Sequence, residues 1–184
     1  GRKWFGDRFD VENEKSYEFT FKNLVTSEPV QIIGNVVAAS ESSTMMNVSV
    51  NGQSLIDLNF STISDDIYGR SSAINEVINV SGDEITIDLV YNNSGNPSSL
   101  AYLDFLRVQA KRSLIADNTQ MQFTYNDAAT TSGIGEYVIQ NTGSITQIWD
   151  ITNRDNVKSI SNSQNANTLN FKAVDDYDPN TSSW

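Results

Sequence analysis

Among side chains that do chemistry near neutral pH, this sequence offers carboxylates and hydroxyls but no histidine and no cysteine. Those two absences remove Ser-His-Asp and Cys-His nucleophilic catalysis, thiolate and imidazole metal sites, disulfides and histidine pH switches together. An enzyme made from the remaining groups would need two carboxylates facing each other across a cleft, roughly 5–10 Å apart in glycoside hydrolysis. Most of the 23 Asp and Glu residues fall in turns or at outward positions of strand-like runs. Asp104 and Asp150 differ. Asp104 interrupts the apolar run 100–106, and Asp150 lies between Ile148-Trp149 and Ile151. A carboxylate in apolar surroundings needs hydrogen bonds or a counter-ion, and Arg107 or Arg112 could serve Asp104. Both aspartates read as structural polar groups. No residue is assigned a catalytic, cofactor-binding or metal-binding role, and no cofactor is expected.

The remaining polar clusters are weaker. Asp175, Asp176 and Asp178 could offer oxygens to calcium, but the glycine that turns a calcium loop is missing, so they read as a solvated tail. Asp65-Asp66 is no better. Asn-x-Ser/Thr matches at Asn47, Asn59, Asn79, Asn92 and Asn180 are expected by chance in a chain this rich in Asn and Ser. The opening Trp4-Phe5-Gly6-Asp7-Arg8-Phe9-Asp10 places three aromatics around a glycine. Large rings there suggest a segment tied to the body of the protein; a carbohydrate-stacking platform is the sharper alternative.

The formal net charge of −11 repels phosphate backbones and anionic lipids, which argues against nucleic-acid and membrane-surface partners. Solubility is its plain reading. No apolar run approaches the roughly 18 residues of a membrane helix, and no leader opens the chain. Gly1 in first place fits a fragment cut from a longer secreted protein. Abundant Asn, Ser and Thr suit an extracellular β module, and a lack of cysteine suits a secreted fold held by its core.

The elements that must position these groups are strands. Residues 99–112 stand out: a near-continuous apolar run from Leu100 to Leu106, then Leu106, Val108 and Ala110 alternating with Arg107, Gln109 and Lys111. This predicts a central strand, buried on both faces at one end and on one face at the other. Tyr17, Phe19 and Phe21 alternate cleanly. Residues 30–39 are apolar on both parities and so interior, with Gly34 marking a bulge or a close backbone approach. Met46, Val48 and Val50 lead into Asn51-Gly52, answered by Ile56, Leu58 and Phe60, which predicts a two-residue type I′ hairpin. Residues 73–80 form a weaker strand, and Ile85, Ile87, Leu89 and Tyr91 a strong one. Beyond Arg112, Met121, Phe123 and Tyr125 alternate, as do Tyr137 and Ile139; strands are also expected at 145–152, 157–161 and 169–173.

About twelve short strands, frequent turn signals and no helical period predict an antiparallel β-sandwich, jelly-roll-like or galactose-binding-like. The chain is taken as one unit, 1–184. A change of character near 113 leaves open a division into a jelly roll, 1–113, and a second β segment, 114–184.

Four pieces, in order, resemble the PorU family of type IX secretion signal peptidases (sortases). Tyr102-Leu103-Asp104-Phe105-Leu106-Arg107-Val108, with Arg112-Ser113-Leu114, resembles that family's LDYI-V…R-L stretch. Trp4-Phe5-Gly6-Asp7-Arg8-Phe9 resembles its WYGE-F opening, Ile148-Trp149-Asp150-Ile151-Thr152 its VWDVT, and Phe171-Lys172-Ala173 its following F-A strand. The resemblance implies a β-rich region before a gingipain-like cysteine peptidase domain, exported to the bacterial cell surface or outer membrane. It implies the downstream peptidase domain, secreted cargo and secretion-system proteins as partners. The family's catalytic cysteine and histidine have no counterpart here, so no catalytic residue carries over. The expected function is therefore non-catalytic scaffolding of a peptidase that processes cargo signals. The alternatives are a carbohydrate-binding module, which would make glycan a partner, and a carboxylate-only glycosidase.

Overall fold

The structure, a computed structural model, describes residues 5–64, 67–117, 120–127 and 133–175. They divide into two compact units, with the division after Ser113. No α-helix occurs among the described residues, which form thirteen strands in antiparallel sheets.

The first unit contains β1 (Arg8–Phe9), β2 (Glu14–Thr20), β3 (Val30–Ala39), β4 (Thr44–Val50), β5 (Gln53–Phe60), β6 (Arg70–Ile78), β7 (Glu84–Asn92) and β8 (Leu100–Gln109). They form two four-stranded sheets, ordered β1-β8-β3-β6 and β2-β7-β4-β5. The chain changes sheet at every connection except the β4–β5 hairpin, which is the winding of a jelly roll. The strand patterns explain the sandwich. Ile85, Ile87, Leu89 and Tyr91 on β7 are wholly buried, as are Val30, Ile32 and Val36 on β3. Each such side chain taken from water contributes about 1.5–3 kcal/mol. The outward residues of β3, Ile33 and Val37 among them, are half-buried, so the strand is interior on one face and partly covered on the other.

Asn51 and Gly52 have φ angles of 48° and 76°, the two left-handed residues of the predicted turn. Gly34 is the predicted close approach: a Cβ there would lie 3.0 Å from the Phe105 carbonyl oxygen. The bulge itself lies one residue on. Asn35 is opposite Phe105 and Val36 is opposite Leu103, which makes Asp104 the extra residue of β8. The double-sided burial expected for residues 100–106 is corrected by this bulge. Ala101 and Leu103 are buried on one side of it, and Leu106, Val108 and Ala110 pack on the same core on the other. The apparently continuous run is an alternation whose phase changes at Asp104.

The second unit holds β9 (Gly133–Gln140), β10 (Ile148–Asp150), β11 (Lys158–Ile160), β12 (Asn162–Asn165) and β13 (Thr168–Asp175). Its sheets are β12-β13-β9 and the pair β10-β11. Ala116, Ile139, Leu169 and Phe171 form its small buried core. The strand predicted at Met121, Phe123 and Tyr125 is absent: these residues lie in irregular chain. Phe123 and Tyr125 instead bring their rings to 6.0 and 6.1 Å from that of Tyr137, which stacks on Phe171 at 5.0 Å. Ring and apolar packing against the second core hold this alternating segment, which forms no ladder.

Candidate functional site

The opening segment is tied down by β8. The Gly6 amide donates to the Leu103 carbonyl at 2.8 Å, and the Leu103 amide donates to the Asp7 carbonyl at 2.9 Å. Phe9 is fully buried in the core, and Phe5 places its ring 5.8 Å from that of Tyr102. A stacking platform that uses Phe9 is therefore ruled out, because that ring never meets solvent. Trp4 lies outside the described residues.

The pairing register places Tyr102, Phe105 and Arg107 of β8, Ile33, Asn35 and Val37 of β3, and Ser71 of β6 on the outer face of the β1-β8-β3-β6 sheet. At its centre Ser71 Oγ donates to Asn35 Oδ1 at 2.7 Å, and Asn35 Nδ2 donates to Asp104 Oδ2 at 3.0 Å. Phe105, 44% exposed, stands beside this chain of polar groups. Asn35 is thus a hydrogen-bond partner of Asp104, beside the Arg107 or Arg112 expected from the sequence. Nothing marked Asn35 in the sequence, because its pairing with Asp104 depends on a register 69 residues away. Arg112 Nε is buried without a hydrogen-bond partner.

Ser71 is not set up as a nucleophile on this face. The Ser71 hydroxyl gives its proton to an amide oxygen, which is too weak a base to activate a nucleophile. Among the described residues no group of three or more acidic side chains could hold a metal ion. Asp176, Asp178, Asp65 and Asp66 lie outside the described residues.

Two further ionisable groups have shifted equilibria. Burial, and then the hydrogen bond that Tyr17 Oη donates to Asp7 at 2.8 Å, push the Tyr17 phenol well above its ordinary value. Asp150 accepts the Thr152 amide at 2.9 Å, which holds its carboxyl below the usual range. Asp150 thus closes a turn after β10, in keeping with a structural reading.

Fold and site together define a jelly-roll unit with a polar and aromatic sheet face, followed along the chain by a smaller β unit. No protein-family model matches the sequence, and no curated protein matches it significantly. Among solved structures the chain is similar to dimeric latent PorU from Porphyromonas gingivalis, with a TM-score of 0.80 and 19% identity over 95% of this chain. The chain spans 17% of the length of that protein. Looser likenesses link 59% of the chain to a carbohydrate-binding module, CBM36, in complex with calcium and xylotriose (TM-score 0.39, 16% identity, 91% of that chain). A CBM36-1 domain of a multidomain xylanase from the hindgut metagenome of Trinervitermes trinervoides is similar over 59% of this chain and 87% of its own, with a TM-score of 0.40 and 15% identity.

Proposed function

We propose that this chain is a non-catalytic accessory module of a PorU-like cell-surface peptidase, scaffolding the catalytic domain and contacting cargo or secretion partners. The observation that carries the reading is the fold likeness to PorU over 95% of the chain. The four ordered sequence resemblances, and a composition without the cysteine or histidine of a peptidase centre, support it. In this reading the parent protein is exported to the bacterial surface and removes C-terminal secretion signals from its cargo. The module works by surface complementarity and makes or breaks no bond. Excising the region from the intact parent tests this: cargo should retain its signal and fail to mature. Normal maturation without the region would overturn the reading.

A second reading, glycan binding, is favoured by one observation: exposed Phe105 lies beside the Ser71–Asn35–Asp104 hydrogen-bond chain. A ring beside amide and carboxylate groups is a chemistry that sugars accept. Calorimetry against a polysaccharide panel, with and without calcium, should register binding that Phe105→Ala abolishes. Silence across a broad panel would remove this reading.

A further inference from the structure

β5 and β6 are the outermost strands of their respective sheets. Among the described residues β5 pairs only with β4, and β6 only with β3. Each therefore presents one edge of backbone N–H and C=O groups outside any ladder. Beside these edges lies a cleft of about 380 Å³, whose lining includes Val50, Gln53, Leu55, Ile78, Asn79 and Val80. A second bulge shapes it. Ser49 is opposite Ser54 and Val48 is opposite Ile56, so Leu55 is the extra residue of β5, and it packs half-buried against the core. The floor is aliphatic and the rim is made of amides and hydroxyls.

The lining discriminates between ligand classes. Among the described residues no charged side chain contributes to it, although the chain carries a net charge of −11, so an ion meets no opposite charge there. Among the described residues no aromatic side chain contributes either, so a sugar meets no ring to stack on there. The volume lies at the lower end of the roughly 300–1,000 Å³ of ligand pockets. An extended peptide satisfies both features at once. Its backbone can complete the open edge, and an apolar side chain can fill the cleft, which is the division of labour in strand addition.

We propose that the cleft and the open edge of β5 bind an extended, uncharged polypeptide segment with apolar side chains at alternate positions. The inference rests on the first unit alone and does not depend on the PorU-like reading. A phage-displayed library of random nonapeptides, selected against the 184-residue chain, tests it. Enriched peptides should alternate apolar and polar residues and lack proline at their centre. Ser54→Trp and Asn79→Trp, at exposed rim positions, should each weaken binding by about tenfold or more while leaving the thermal midpoint unchanged. No enrichment, enrichment without alternation, or binding undiminished in both variants would overturn the proposal. Excision of the region from the intact parent, the test of the functional reading, has an independent outcome.

Discussion

The amide of Asn35 donates to the carboxylate of Asp104 at 3.0 Å, across the point where β8 gains one residue on β3. That bond fixes the extra residue outward and allows Leu103 and Leu106 to share one core. A carboxylate in an apolar run is here the mark of a phase change in the strand.

The bulge and the side chain can be separated by experiment. Asp104→Ala should lower stability by about 1.5–3 kcal/mol, as expected when a hydrogen bond to a charged group is lost. Deleting Asp104 should cost far more, because it turns the core residues at one end of β8 toward solvent. Chemical denaturation of the two variants distinguishes them, and equal losses would contradict the role given to the bulge.

Gly34→Ala should destabilise the first unit by about 1–3 kcal/mol through overpacking. The added methyl would meet the Phe105 carbonyl oxygen at 3.0 Å, with Ile74 Cδ1 at 3.2 Å and Leu106 Cδ1 at 3.3 Å. The carbonyl belongs to a paired backbone and has little room to retreat. A thermal midpoint unchanged from the parent chain would show that the β3–β8 contact is looser than described.

Alkaline titration should reveal Tyr17. The folded phenol keeps its proton above its ordinary value of 10.0, while the unfolded one releases it. The folded state therefore binds more protons in that window, and stability falls as pH rises above about 10. Below that the contribution is fully present. Tyr17→Phe should flatten this fall when stability is followed by denaturant titration from pH 8 to 11. An unchanged slope would place the Tyr17 proton outside the folding equilibrium.

Much of the first unit was legible because its strands bury one face and so alternate visibly. Ile85, Ile87, Leu89 and Tyr91 show this most clearly, and Asn51-Gly52 announces its turn by the φ angles it must adopt. The phase change at Asp104 was present in the letters, Ala101 and Leu103 against Leu106 and Val108, but an unbroken apolar run conceals it. Which strands share a sheet was not legible, since no local pattern encodes a crossover between layers. β12, Asn162–Asn165, is exposed at every position and held by its ladder to β13, so it carries no hydrophobic signal. The alternation of Met121, Phe123 and Tyr125 misleads for the opposite reason, because rings can pack without forming a ladder. Of the site, Asp104 could be found as an anomaly; Asn35 and Ser71 needed the register of three strands.

The most direct measurement of the central claim is the coding sequence beyond Trp184 in the native gene. The account predicts an in-frame peptidase domain carrying the cysteine and histidine that these 184 residues lack. A stop codon, or a continuation without such a domain, would contradict it.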